Sequence, residues 1–355
     1  LTNQFSSLSL STWQCTKRAA KRESLFLFRL DQIAQLAGLH HDVNNKMGLT
    51  IMKHRVGMLL MSCVVGLVTT STIAPAWIPP SLAAQHLQLA VINAVRSGHA
   101  VSVNVPDGKI YFNDAAFNVT GAKGITIGGT DSSMLVFSPG VGVNIQNSSN
   151  TTLQSVSIGY SPLPYVYGSV LSTHLQANHL TMRLDPRSLT FETFVKQYPP
   201  HDTWPPMTAY AKGTVNYKAN VGSWGKPPAA TLISGRDYSV PYKGATLAVG
   251  DVIVAPTRTG FTVTLSYTSG ITIKDVTIYA AGNMAITEFQ GDGGNRYQNV
   301  SLVPPDASQP LASNADGFHS SGMRHGPTLS SVTMHNLLDD YFNVHNTFQI
   351  VAKRS

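Results

Sequence analysis

Two short segments near the end of the chain concentrate groups able to move protons: Asn314-Ala-Asp-Gly-Phe-His-Ser320 and Asp339-Asp-Tyr-Phe-Asn-Val-His-Asn346. Three carboxylates, Asp316, Asp339 and Asp340, fall within 25 residues of a chain in which only 12% of residues are charged. Aligning Asp316-Gly-Phe-His on Asp340-Tyr-Phe-Asn gives an offset of 24 residues. If that offset is one strand-to-strand step, about 4.8 Å in a parallel sheet, the two acids project from one wall with Asp339 at the edge of the same groove. Asn283-Met-Ala-Ile stands at the corresponding place one step earlier, with Glu288 and Asp292 just beyond. Stacked like charges cost stability, so they ask for a reason. Solvated turns at strand corners are one, since Asp is common there. A Ca²⁺ site is another, because clustered carboxylates suit a hard cation. The third is acid–base cleavage of a glycosidic bond, one carboxyl donating a proton while an ionised one activates water.

Positioning such acids requires a repeating scaffold, and the chain shows one. From about residue 101 it falls into units of four to seven residues rich in Val, Ile and Thr and bounded by Gly, Asn, Asp or Ser, the pattern of short strands. One phrase recurs. Thr152-Leu-Gln-Ser-Val-Ser-Ile158 resembles Thr272-Ile-Lys-Asp-Val-Thr-Ile278, then Gln298-Asn-Val-Ser-Leu302, then Thr328-Leu-Ser-Ser-Val-Thr-Met334. The aligned Val276, Val300 and Val332 lie 24 and 32 residues apart, and Pro304, Pro305 and Pro310 in the longer interval mark a loop bulging from one rung. A period of this size made of strands predicts an all-β, right-handed parallel β-helix, in which no single rung can bury its apolar face without its neighbours. Between about 161 and 260 the phrase is lost. That stretch holds Tyr165, Tyr167, Trp204, Tyr210, Tyr217, Trp224, Tyr238 and Tyr242, and reads as an inserted, small β-barrel-like domain whose aromatics serve chiefly as core, with Trp204 and Trp224 able to stack on sugar rings. The expected organisation is 1–76 as extension, 77–160 as first part of the β-helix, 161–260 as insert and 261–355 as continuation. No polar cap follows the last rung before Ser355, which predicts that further rungs belong there.

The net charge of +7 says little about partners. Eight of the 25 basic and three of the 18 acidic residues precede Trp77, so the remainder carries only +2, without a basic run, and nucleic acid is not an expected partner. Within the first 76 residues, Lys53-His54-Arg55, an apolar run over 56–73 and Ala74-Pro75-Ala76 have the form of a secretory signal starting at Met47 or Met52; a type II membrane anchor is the alternative. Secretion follows from the first reading, without stable membrane association once the signal is removed. Cys15 and Cys63 both precede that cleavage point, leaving no disulfide, and sequons at Asn118, Asn147, Asn150 and Asn299 are compatible with a secreted glycoprotein. No phosphate loop, Cys-x-x-Cys, His-x-x-x-His or Gly-x-Ser-x-Gly pattern occurs, and no cofactor or metal is expected.

The Asp-Gly-Phe-His segment, the one-rung spacing, the Asp339-Asp340 pair and the trailing Asn343-Val-His345 resemble the family 110 glycoside hydrolases, and Val249-Gly-Asp-Val-Ile-Val254 is similar to that family as well. The resemblance spans roughly 100–351. It implies an inverting α-1,3-galactosidase on a β-helix with inserted barrels, taking an oligosaccharide or glycan, with Asp316 as general acid and Asp339 and Asp340 sharing the general-base role. His319, Asn343 and His345 match positions flanking the acids and, with Glu288 and Asp292, are the expected substrate-binding residues. Tyr341-Phe342 after the acid pair departs from the smaller residues expected there. Polygalacturonases share the fold, and their Asn-Thr-Asp and Asp-Asp motifs resemble Asn314-Ala-Asp and Asp339-Asp340, although Tyr341 stands where Cys usually follows. A non-catalytic carbohydrate-binding or adhesive β-helix remains the reading outside enzymes.

Overall fold

The structure is a computed structural model and describes residues 78–174, 178–197, 206–221, 229–242 and 246–346. The signal or anchor segment, both cysteines, Trp204 and Trp224 lie outside the described residues.

Two parallel sheets form the scaffold. In the first, the strands Ser102–Asn104, Thr126–Gly128, Thr152–Tyr160, Thr272–Ile278, Arg296–Leu302 and Thr328–Met334 follow one another, and the pair Gly108–Asn113 and Ser133–Phe137 joins alongside. In the second, the order is Phe117–Thr120, Val143–Gln146, Val263–Ser266, Ile286–Gly293, Phe318–His325 and Phe342–His345. Every pairing in both is parallel, and the chain is a β-helix. The recurring phrase explains the register: Val156, Val276, Val300 and Val332 are direct partners from rung to rung. Val156, Val276 and Val300 are almost fully buried and Val332 packs against the same core.

The residue before each of those valines takes a conformation that alternation alone does not convey. Ser155, Asp275, Asn299 and Ser331 all have φ between 51° and 54°, in the left-handed region. Each rung therefore turns a corner at this position, and the apolar spacing slips from two residues to three, from Ile273 to Val276. Ser, Asp and Asn tolerate that backbone because their short polar side chains bond locally, whereas a β-branched residue there is strained. The Asn299 amide also donates to the Asp275 carboxylate one rung below, at 2.8 Å.

An α-helix, Leu82–Ser97, precedes the first strand, in a stretch expected to be β-helix. Its signal was present: Ser81 caps the amino end through its Oγ, Gly98 closes the other end in the left-handed region, and Ala84, Leu87, Val91 and Ala94 form the buried stripe. That stripe lies on the first strands and shuts the open end of the solenoid core, as a stack of rungs requires. Among the described residues no helix is long and apolar enough to cross a membrane.

Thr152–Tyr160 pairs directly with Thr272–Ile278, and Val143–Gln146 with Val263–Ser266, so the chain leaves the stack and returns to the next level. What it makes in between is a seven-stranded antiparallel sheet, ordered Tyr217–Asn220, Thr208–Tyr210, Val252–Pro256, Tyr165–His174, His179–Leu184, Asp237–Pro241, Thr231–Ser234. It has its own core, built on Val166, Leu180, Met182, Phe194, Tyr238 and Ile253. Five of the six tyrosines noted above are buried, and Tyr217 is the exception. Within the sheet, burial pushes the Asp251 carboxyl up, but the Lys218 ammonium at 2.6 Å and the amides of Ala248 and Lys212 outweigh it and hold the group below its ordinary value.

Two outcomes test these assignments. Asn299→Val, which forces a branched side chain into the left-handed corner, lowers stability by about 1–2 kcal/mol in urea unfolding, while Asn299→Gly costs less. Because the Asp251 carboxyl is depressed in the folded protein, its stabilising contribution is present above the unfolded value near pH 4 and is lost as pH falls below it. Acid titration followed by near-ultraviolet circular dichroism reads this, and Asp251→Asn flattens the profile in that window.

Candidate active site

Successive rungs build the acid cluster by a repeated local device. Phe318 pairs with Phe342, and their rings stack with centroids 4.9 Å apart and planes 14° from parallel. Two residues before each phenylalanine comes an acid, Asp316 and Asp340, and the Gly317 amide donates to the Asp340 carbonyl at 2.9 Å. Gly317 is needed for this approach: a Cβ would lie 2.8 Å from Leu337 Cδ1 and 2.9 Å from the Tyr341 carbonyl oxygen. The residue three positions after each acid faces outward and reaches back to it. His319 Nδ1 lies 2.8 Å from Asp316 Oδ2, and Asn343 Nδ2 donates to Asp340 Oδ2 at 3.3 Å. His319 and Asn343 are themselves register partners.

The three carboxylates come together as their spacing predicts. One oxygen from each of Asp316, Asp339 and Asp340 lies within 4.8 Å of the others. Their environments differ. Asp316 is 4% exposed, with Oδ2 engaged by His319. Asp339 and Asp340 are exposed. Asp339 is spoken for on both oxygens: Oδ2 accepts from Arg258 Nη2, and Oδ1 from the Asp340 amide at 3.2 Å. Asp340 Oδ1 has no such partner among the described residues. The three could also ligate a hard cation, oxygen ligands being what Ca²⁺ takes. Asp316 comes from one rung and Asp339 and Asp340 from the next, the offset of a parallel stack.

His345 joins through His319, the two Nε2 atoms being 3.0 Å apart. Asp316, His319 and His345 thus form one hydrogen-bonded chain from a buried carboxyl to an exposed imidazole, with the proton on each link set by tautomer. His319 and Asn343, expected as substrate-binding residues, each form a hydrogen bond with one of the acids.

Glu288 and Asp292 do not join the cluster. Glu288 pairs in register with Leu265 and Ser320 on the inward face and is fully buried. Its Oε1 accepts from Tyr297 at 2.7 Å and Asn295 at 2.8 Å, and its Oε2 from Ser320 at 2.8 Å. Burial first, and then the Glu288 charge, pushes the Tyr297 hydroxyl well above its ordinary value, so it stays a donor. Period-two alternation could have shown this, since Glu288 lies two residues after buried Ile286. Asp292 lies opposite the Met323–His325 end of the neighbouring strand, far along it from Asp316, in an exposed pair with Arg324 at 3.3 Å.

Arg258 is the residue missed by reasoning from sequence. It stands where the chain returns from the insert, with φ of 52°, its carbonyl accepting from Asn283 Nδ2 at 3.2 Å. Its Nε is buried without a hydrogen-bond partner among the described residues. A left-handed arginine beside a carboxylate cluster is the kind of strained position that collects at functional sites. Asn314, read as part of a motif, proves to be a staple. Its Nδ2 is within 2.8–3.0 Å of the Pro164 carbonyl, Thr257 Oγ1 and the Gly282 carbonyl, joining the acid-bearing rung to both stems of the insert.

No protein-family model matches the chain, and no curated protein matches it. Among solved structures it is similar to a glycosyl hydrolase candidate from Parabacteroides merdae ATCC 43184, at 12% identity over 72% of this chain and 87% of that one, with a TM-score of 0.32. It is also similar to the tailspike protein gp49 from Pseudomonas phage LKA1, at 13% identity over 72% of this chain and 51% of that one, with a TM-score of 0.16.

Placing Glu288 in the core rather than the groove has a measurable consequence. Glu288→Leu strands three buried donors and lowers stability by on the order of 3 kcal/mol, read as an earlier denaturation midpoint. A change confined to ligand affinity, with the midpoint unmoved, contradicts the placement.

Proposed function

We propose that the protein is a glycoside hydrolase that removes a terminal α-linked galactose outside the cell, with Asp316 as general acid and Asp340 as general base. The observation that carries the reading is the asymmetry of the cluster: a buried carboxyl with one oxygen clamped by an imidazole, beside exposed carboxylates on the next rung. The sugar and the secreted location rest on the resemblance to family 110 and on the leader-like segment before Trp77.

In this mechanism Asp340 takes a proton from water, and the water oxygen attacks the anomeric carbon as the glycosidic bond breaks. Asp316 Oδ1 gives its proton to the departing oxygen, which leaves as an alcohol. Asp339 keeps Arg258 at the site and holds the Asp340 amide, which supports assigning the base to Asp340 rather than sharing it. The His345–His319 chain offers a route by which Asp316 regains its proton from solvent. Inversion requires that water to attack the face of the anomeric carbon opposite the departing oxygen, so the sugar ring lies between Asp316 and the water held by Asp340.

Asp316→Asn lowers turnover of an α-1,3-galactobiose by roughly 10²–10⁴-fold, and by less on an aryl galactoside whose leaving group needs little protonation. Asp340→Asn slows both substrates alike, and Asp339→Asn has the smaller effect of the two. Proton NMR of the first-formed sugar shows inverted configuration. That is the sharpest test, since carboxyls about 5–5.5 Å apart accompany retention, and retention rejects water activation by Asp340. A panel containing galacturonans checks the sugar. If all three Asn variants keep wild-type turnover while Ca²⁺ raises the melting temperature, the cluster is a cation site in a non-catalytic β-helix.

A further inference from the structure

We propose that a cleft between the inserted sheet and the last described rung seats the leaving sugar, the ring joined to the one cleaved at Asp316. The inference rests on the glycosidase reading and adds to it a second subsite. The cleft has a volume of ≈ 440 Å³, inside the range of about 300–1,000 Å³ usual for small-molecule sites. Tyr210, Val215 and Tyr217 line it from the insert, Leu338 and Tyr341 from the rung, and Arg258 is shared with the acid cluster.

Three observations point to a sugar as the occupant. Tyr217 and Tyr341 are 57% and 55% exposed, large rings left open on two separate elements that border one cleft. The flat apolar face of a pyranose covers such a ring, while its rim hydroxyls need the polar groups that the same walls provide. Second, Tyr217 is held: its ring meets that of buried Tyr210 edge-on, centroids 6.4 Å apart and planes at 82°, so stacking on it costs little ordering. Third, the cleft adjoins the acid cluster through two residues. Arg258 lines it and binds Asp339 through Nη2, and Tyr341 directly follows Asp340 in the chain. A substrate whose terminal ring is the one cleaved extends only on its leaving side, so the ring in the cleft is the leaving one.

The test compares kcat/KM on α-1,3-galactobiose with that on α-galactosyl fluoride, whose leaving group carries no ring. Tyr217→Ala lowers the disaccharide-to-fluoride ratio about tenfold, chiefly through KM, the scale of one lost aromatic contact. Tyr217→Phe keeps the ring face and restores the ratio. Tyr267→Ala, at an exposed tyrosine that does not line the cleft, leaves the ratio where it was. If wild type hydrolyses the fluoride but the ratio stays fixed in both Tyr217→Ala and Tyr341→Ala, the subsite is wrong and the glycosidase reading stands. Equal losses on both substrates also overturn it, because the cleft then holds the reacting ring. If wild type hydrolyses neither substrate, the glycosidase reading fails and the subsite falls with it.

Discussion

The site depends on rung-to-rung register. The Gly317 amide reaching the Asp340 carbonyl and the Phe318–Phe342 ring stack pin one level of the solenoid against the next. A slip of one residue along either strand turns every outward side chain inward, which would bury His319 and Asn343 and expose Phe318. Acids contributed by different rungs can therefore be kept within a few ångströms of each other without any contact between their own side chains. The cost is close packing at Gly317, where the neighbouring turn leaves no space for a Cβ.

Like charges gathered this closely need compensation, and the structure supplies it through unequal surroundings. Asp316 is withdrawn from water and bonded to an imidazole; Asp339 faces a guanidinium; Asp340 has an amide and a solvent-facing side. Asp339 is exposed, and ion pairs near the surface contribute less than about 1 kcal/mol, so the Arg258–Asp339 pair adds little to overall stability. Its effect is local: Arg258 engages Asp339 Oδ2 while the Asp340 amide engages Oδ1. Three chemically identical side chains thereby stand in three different surroundings.

The insert matters to this arrangement because of where it is anchored. Asn314, Thr257, Pro164 and Gly282 form one buried hydrogen-bonded knot joining both stems of the antiparallel sheet to the turn that carries Asp316. Tyr165 adds a bond to the Leu311 carbonyl at 2.9 Å, tying the proline-bearing loop to the same base. The sheet thus stands beside the acids as a wall, and brings Tyr210 and Tyr217 to the cleft that Arg258 shares.

Much of this was legible in the residues alone. The recurring phrase carried the rung period, and alternation marked the core valines, because a stack of identical strands repeats its side-chain environment at a fixed interval. The Asp316–Asp340 offset equalled that interval, so their proximity followed from counting. Other features required the folded chain. The corner at Asp275 and Asn299 interrupts alternation without a residue type unique to it. Glu288 looked like a groove residue because an acid is seldom buried, and only three donors converging inside the core make its burial tolerable. Arg258 lies 81 positions before Asp339, across a chain reversal whose geometry no local pattern encodes. Periodic contacts are written in sequence spacing, whereas contacts made by an insertion depend on where its two ends are fastened.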